Sequence, residues 1–328
     1  MTMTNQSRRF DHIIAFEVAK HSLTVHMLPA DRQEVIANTP AAVRRVLKRE
    51  LKRNQKTALG AMLVVCEATG GYERHVLAAA VELCIPLHRA HGTRTRLFAG
   101  YRCFDAKTDR IDARMLAFYG RDTRDLRLYE PPGPQEAALR ALRKRRDDLK
   151  AMMRMEANRL EHATHPRVAA SIKAHVRALD KELALLEDEI AQLIESTPRL
   201  ASKARLMRSL KGIGPATATA CLAYLPELGA MTNGQVARLV GLAPIARDSG
   251  KSSLPRHIAG GRNIVRQSLY MAAVVAISHN PKIASYAKAL TQRGKPSKLV
   301  ITAVMRKLIV ILNAILRDNQ PAHSSKAA

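Results

Sequence analysis

Residues 58–66 (ALGAMLVVC) form an apolar run that stops at Glu67, with Thr69-Gly70-Gly71 just beyond. A run without polar alternation is the mark of a central strand, since a strand with one wet face alternates. It commits the first part of the chain to an α/β arrangement. The neighbouring patterns agree. Residues 12–18 and 23–28 are short apolar runs, and Pro29-Ala30-Asp31 makes a turn before a third run at 34–37. Residues 41–53 carry helical spacing through Val43, Val46, Leu47 and Leu51.

After the central run the sequence predicts a helix over 72–84, a short strand over 86–91 and helices over 94–101 and 109–119. Three strands, then helix, strand, helix, strand and helix, is the order of an RNase H-like domain, although many α/β domains begin similarly. Glu130-Pro131-Pro132-Gly133-Pro134 breaks the chain. Beyond it Ile172, Val176, Leu179, Leu183, Leu186, Ile190 and Leu193 alternate by four and three residues, a coiled-coil seam. The preceding helix, 135–163, has a poorer seam, interrupted by Arg146 and Glu156, and His165-Pro166 separates the two. An antiparallel helical hairpin that also dimerises is the expectation; an intramolecular bundle is the alternative.

Charge bounds the partners. The 328 residues hold 54 Lys and Arg against 28 Asp and Glu, a net of +26, with a pI near 10.6. A phosphate polyanion is the first-guess partner, nucleic acid or an anionic membrane. A spanning helix is not expected, because the most apolar stretch, 299–316, is interrupted by Arg306 and Lys307. Residues 1–11 are polar and give no signal-peptide pattern. Four scattered cysteines without CxxC spacing read as reduced thiols of a cytoplasmic protein. Aromatics make up 4% and Trp is absent, which favours contact with nucleic-acid backbones over stacking on bases. The charge is uneven: residues 201–328 contain 19 Lys and Arg but only Glu227, Asp248 and Asp318, a net of +16. Acids for metal chemistry in one part, and bases for phosphates in the other, is the division this suggests.

Four acids stand out by placement. Glu17 lies in the first strand pattern and Glu67 ends the central run. Asp109 and Asp112, in Lys107-Thr108-Asp109-Arg110-Ile111-Asp112-Ala113, share one helix face by their spacing of three. An acid buried mid-strand is costly unless paired or metal-bound. In an RNase H-like sheet the four can converge, and two Mg²⁺ ions need several such hard oxygen ligands. Taken singly, Asp109 and Asp112 also fit a solvated helix start, and Glu17 an edge acid paired with Lys20.

Two further motifs lie in the basic part. Lys211-Gly212-Ile213-Gly214-Pro215 is a helix-hairpin-helix turn whose glycines let backbone approach a phosphate, or an ordinary tight turn between helices. Gly241-Leu242-Ala243-Pro244 leads into Arg247-Asp248-Ser249-Gly250-Lys251, then Arg256 and Arg262. A serine among four cations could attack a phosphodiester, although serines are also common in turns.

In this order and spacing, Glu67-Ala68-Thr69-Gly70-Gly71-Tyr72, the 107–113 segment, Gly212-Ile213-Gly214 and Gly241-Leu242-Ala243-Pro244 with Ser249-Gly250 carry a resemblance. The chain resembles the DEDD transposases of bacterial insertion sequences, related to Piv-type DNA invertases and described as bridge-RNA-guided recombinases. The match runs from about residue 10 to 318.

The resemblance implies a RuvC-like metal-dependent domain over 1–128, a coiled-coil linker over 129–200 and a mainly helical C-terminal transposase domain over 201–318. A disordered tail over 319–328 is expected. It implies that Glu17, Glu67, Asp109 and Asp112 bind Mg²⁺ (or Mn²⁺), and that Ser249 forms a transient covalent link to cleaved DNA. Lys211, Gly212, Gly214, Arg247, Lys251, Arg256 and Arg262 are the expected nucleic-acid contacts. A structured noncoding guide RNA, target and donor duplexes, and a homo-oligomer (a dimer, or a tetramer as a dimer of dimers) are the implied partners. One departure stands out: the family's first acid is usually aspartate, and here it is Glu17 in Phe16-Glu17-Val18. The alternatives are a RuvC-like junction nuclease that uses water and a nucleic-acid-binding homologue with an impaired metal site.

Overall fold

The computed structural model describes residues 10–57, 61–104, 106–246, 248–249, 252–253 and 256–322. The chain divides into two compact units, 1–131 and 132–328, and the division falls inside the Pro131-Pro132-Gly133-Pro134 break.

The first unit is a five-stranded sheet with helices on both faces. Its elements are β1 (His12–Val18), β2 (Ser22–Leu28), β3 (Arg32–Ala37), α1 (Pro40–Thr57), β4 (Met62–Glu67), α2 (Arg74–Glu82), β5 (Leu87–Ala90), α3 (Gly92–Tyr101) and α4 (Asp109–Asp122). The strand order is β3-β2-β1-β4-β5. β1 to β3 are antiparallel, while β4 runs parallel to β1 and β5 parallel to β4, an arrangement compatible with an RNase H-like domain. The apolar run supplies β4, an interior strand between β1 and β5 rather than the central one, which is β1; Leu63, Val64, Val65 and Cys66 are fully buried.

Strand parity sorts the core into two layers. Ile14, Phe16, Val64 and Cys66 pack with Val43, Val46 and Leu47 of α1 and Val76, Ala79 and Ala80 of α2. Ile13, Ala15, Leu63 and Val65 pack with Met115, Leu116 and Tyr119 of α4. α4 lies close because of Gly120, where a Cβ would meet Val65 Cγ2 at 2.6 Å and Ile13 Cγ2 at 3.2 Å. α2 is shorter at both ends than the 72–84 periodicity predicts. Gly70 and Gly71 take φ of +74° and +120° ahead of it, and Cys84 takes +53° behind it.

The second unit is helical. It contains α5 (Pro134–Glu161), α6 (Pro166–Ser196), α7 (Pro198–Arg208), α8 (Pro215–Tyr224), α9 (Asn233–Val240), α10 (Asn263–His279), α11 (Pro281–Gln292) and α12 (Ser297–Asp318). Four two-residue strands, β6 (Pro244–Ile245), β7 (Asp248–Ser249), β8 (Ser252–Ser253) and β9 (His257–Ile258), make ribbons β6–β9 and β7–β8.

In the α5–α6 hairpin, Leu149 packs on Leu179, Leu183 and Leu186. The interruptions in the α5 seam are ionic contacts. Arg146 pairs with Glu187 at 2.7 Å, and Glu156 with Arg159 at 2.7 Å and His175 at 3.4 Å.

α12 corrects the reading of 299–316. By length and composition it could cross a membrane, because Arg306 and Lys307 are too few to disqualify it, yet 56% of its apolar window is buried inside the unit. Val304, Leu308, Ile309, Leu312 and Ile315 sit at 0% exposure in the main core. Asn313, equally buried, accepts from Gly229 N and donates to the Met231 carbonyl. Lys307 rests over the Tyr286 ring at 4.8 Å, and Arg306 is exposed.

Candidate active site

Register brings Glu17 and Glu67 together. β1 and β4 pair in parallel with Phe16 opposite Cys66, so the next residue on each strand is an acid. Both acids share the parity of Ala15 and Val65, hence the face that α4 covers. α4 then delivers the other pair. From Ile13 to Glu17 is about 13 Å along a strand, and from Gly120 to Asp112 about 12 Å along a helix, so the helix start reaches the strand ends. Thr108 caps α4 by accepting from Ile111 N at 3.2 Å, which fixes Asp109 and Asp112 in the first turn.

Two of these carboxyls, Glu17 and Asp112, are shifted by the acids around them. Burial, followed by Asp112, Glu67 and Asp109, pushes the Glu17 carboxyl up to about 7, with Lys107 opposing. Asp112 is also raised, by burial first, with Asp109 and Glu67 adding to it against Lys107. Like charges lie together at one sheet end, with Lys107 the cation that opposes the shifts of Glu17 and Asp112. Four carboxylates are also the all-oxygen donor set that hard divalent ions take. Among the described residues, no three His, Cys, Asp or Glu side chains already converge on a metal-sized point. Glu67 is turned to Thr95, whose hydroxyl donates to Oε2 at 2.9 Å. The set fits in kind and charge, and Thr95 engages only one of the two Glu67 oxygens.

Sequence reasoning missed the residue that shapes the loop after Glu67. Glu73 is buried; its Oε2 accepts from Gly71 N at 2.8 Å, Thr69 N at 3.3 Å and the Thr69 hydroxyl at 3.1 Å, while Oε1 pairs with Arg89. Burial would raise its carboxyl, but backbone N–H donors and Arg89 hold it below the usual range. An acid two residues after the Thr69-Gly70-Gly71 turn was the available signal.

The basic motifs divide. Gly212 (φ +107°) faces α10, where a Cβ would meet Ala276 Cβ at 2.5 Å and Cα at 2.8 Å. Helix packing alone therefore excludes a side chain at this position. Gly214, the residue before α8, has open space around it, and Lys211 beside the turn is exposed. Arg262 donates to Glu227 at 2.5 and 2.7 Å and to the Tyr224 carbonyl at 2.8 Å, so it ties the start of α10 to the α8–α9 loop. The guanidinium expected on nucleic acid is thus engaged by a carboxylate of its own chain.

Of Ser249 the backbone alone is described; it pairs with Ser252 across the β7–β8 ribbon. Arg247, Gly250 and Lys251 lie outside the described residues, as does the tail beyond residue 322, while Arg256 is exposed just ahead of β9. The serine-bearing segment is closed at its base by glycines. A Cβ on Gly241 would meet the Gly260 carbonyl oxygen at 2.1 Å, and one on Gly261 would meet Gly241 N at 2.2 Å. Arg266 donates to the Gly260 carbonyl at 2.6 Å across the same junction.

Comparison with known proteins matches residues 14–164 to the IS110-type DEDD family described as "Transposase". Residues 204–288 match the "Transposase IS116/IS110/IS902 family". The chain is 30% identical over 262 residues to the "Pilin gene-inverting protein" of Moraxella lacunata, covering 79% of this chain and 81% of that one. The protein of the same description from Moraxella bovis matches to the same extent. An "Insertion element IS900 uncharacterized 42 kDa protein" of Mycobacterium paratuberculosis is 30% identical over 240 residues, 69% of this chain and 58% of that protein. With both transposase regions matched in order and a DNA-inverting relative aligned over most of its length, the chain belongs to the IS110 family of DEDD transposases, and is a DNA transposase/recombinase.

Proposed function

We propose that this recombinase cleaves and exchanges DNA strands with Ser249 as nucleophile, assisted by Mg²⁺ held at Glu17, Glu67, Asp109 and Asp112. The observation that carries the reading is the β1–β4 register, which sets two acids side by side at the strand ends that the acid pair of α4 reaches. Divalent-metal use goes with the DEDD family as a whole. Mg²⁺, with Mn²⁺ as a substitute, is our reading of the ion, and it would supply charge neutralisation at a phosphodiester. The protein's own residues do the rest. Glu17 gives up its proton before the cluster can bind a cation, and Thr95 orients Glu67 through one of its oxygens.

Ser249 Oγ forms a bond to phosphorus while the bond from phosphorus to the leaving deoxyribose oxygen breaks. That oxygen takes a proton, and the serine proton passes to solvent. The reverse attack by a deoxyribose hydroxyl on the serine ester rejoins strands without an external energy source. A structured noncoding RNA choosing both duplexes by base pairing fits a chain of net +26 with few aromatics. On this reading the α5–α6 hairpin is a dimerisation surface, and the protein works as a dimer or a dimer of dimers in the bacterial cytoplasm.

Trapping the covalent intermediate tests the mechanism. Wild-type protein with its RNA, DNA and Mg²⁺ should yield a denaturation-resistant protein–DNA adduct that disappears in Ser249→Ala. Cleavage without any adduct would make the enzyme a water-using nuclease instead.

A further inference from the structure

Between residues 44 and 56 helix α1 carries seven Lys and Arg against one acid, Glu50, which is buried. Its apolar stripe, Val43, Val46 and Leu47, faces the sheet. The opposite side of the helix bears Arg45, Lys48 and Lys52 in one line, spaced by three and four residues and all exposed. Ala41 and Gln55 extend that line at its two ends. From Arg45 to Lys52 the ridge runs about 10 Å along the helix.

The acids near α1 are held by other cations. On one flank Arg44 pairs with Glu82 of α2 at 2.7 Å, and on the other Arg49 pairs with Glu34 of β3. Glu50 lies beneath with Arg32 and, at 3.0 Å, Arg49. Arg44 holds the Glu82 carboxyl below its usual range, and Lys48 adds a lesser pull. Among the described residues Arg45, Lys48 and Lys52 form no salt bridge. Like charges three and four residues apart destabilise a helix, so the bare ridge repels itself and a polyanion laid on it would relieve the repulsion.

The ridge stands on the far side of the sheet from the acids. α1 covers the face of Ile14 and Phe16, while Glu17 and Glu67 share the face that α4 covers. A nucleic-acid segment on α1 is therefore remote from the carboxylates, which suits a partner that is held and not cut. We propose that the α1 ridge holds the backbone of a paired RNA segment, with Arg45, Lys48 and Lys52 on its phosphates. The helix has no aromatic side chain, which fits a duplex gripped by phosphate and shape rather than unpaired bases that stack. The proposal rests on the RNA-guided part of the recombinase reading, and it gives that RNA a place apart from the DNA being cut.

The test titrates full-length protein in EDTA, across salt, with a fluorescent RNA hairpin stem of about 16 base pairs and a DNA duplex of the same sequence. The triple variant R45Q/K48Q/K52Q should weaken binding of the RNA stem about tenfold or more near physiological salt. It should also lower the slope of log affinity against log salt by about two to three. Affinity for the DNA duplex should fall less than about threefold. On wild-type protein the RNA stem should shield Lys48 and Lys52 from acetylation by an amine-reactive ester, read by peptide mass spectrometry, and the DNA duplex should leave them reactive. Thermal melts of the variant should match or exceed wild type, because the like charges are gone. The wild-type footprint stands whether or not the variant folds.

Undiminished affinity for the RNA stem, or Lys48 and Lys52 left reactive in its complex, overturns the proposal. An equal or greater loss on the DNA duplex makes the ridge a DNA surface and overturns the RNA assignment. A change in oligomer mass with RNA binding intact makes it a protein interface and overturns it too. Wild-type protein that binds the RNA stem elsewhere contradicts the ridge alone, whereas wild-type protein that binds no RNA stem contradicts the guided reading as well. No metal and no serine chemistry enter this assay, so a failure to trap the Ser249 adduct leaves its result readable.

Discussion

Glu17 concentrates the chemistry of the site in one side chain. Its carboxyl is raised from 4.5 to about 7 by burial and by its three acidic neighbours. Between those two values the folded protein holds a proton that the unfolded chain has lost, so metal-free stability falls as pH rises through that window. The loss amounts to up to about 3 kcal/mol. Thermal melts in EDTA should therefore show Glu17→Gln stabilising the protein at pH 8 and leaving it nearly unchanged at pH 4. A variant equally stabilised at both would remove the electrostatic account. Asp112 shifts in the same direction and adds to the same slope. Glu73 has the opposite sign: held below its usual range, it contributes stability that is lost as pH falls through its folded value.

At the scale of elements the two glycines of the 211–215 turn have different roles. Gly212, at φ +107° against Ala276, should not tolerate a side chain, and Gly212→Ala should cost about 1–3 kcal/mol in denaturant melts. Gly214 is extended (φ −86°, ψ 176°) and open, a geometry that suits a capping aspartate. Gly214→Asp should leave stability unchanged or raised while weakening duplex binding severalfold in a titration, because it sets a carboxylate where a phosphate is expected. If duplex affinity holds, the α8 N-terminus is not a contact.

The same pair shows what the sequence could reveal. Motif spacing located the turn, but only the position of α10, brought back from more than 60 residues downstream, separates a packing glycine from an open one. Arg262 is parallel: it looks like a free cation in sequence, and its partner Glu227 comes from a distant loop. The sheet was legible because local alternation and the 58–66 run set its strands and faces. The convergence of Glu17 and Glu67 follows from parity once the parallel pairing is known. Glu73 escaped because a single acid at a helix start reads as dipole complement until its burial is seen.

Across the whole molecule, charge and carboxylates work against each other. The chain carries +26, of which +16 belongs to residues 201–328, and it must still bring phosphates to an acidic cluster. Binding to a polyanion should be steeply salt-dependent: six to ten phosphate contacts would cost roughly 10³–10⁵ in affinity between about 50 and 200 mM salt. A shallow slope in a salt titration would mean that the basic surplus is not on nucleic acid.

The claim from which the rest follows is that four acids, two on adjacent strands and two on one helix turn, form a single metal site. Mn²⁺ binding to the full-length protein, followed by electron paramagnetic resonance across pH, tests it without DNA, RNA or catalysis. Binding should strengthen as pH rises through about 7, where Glu17 loses its proton. It should also fall at least tenfold in each of Glu67→Gln and Asp112→Asn. Equal Mn²⁺ affinity in wild type and both variants, with no dependence on pH, would contradict the account.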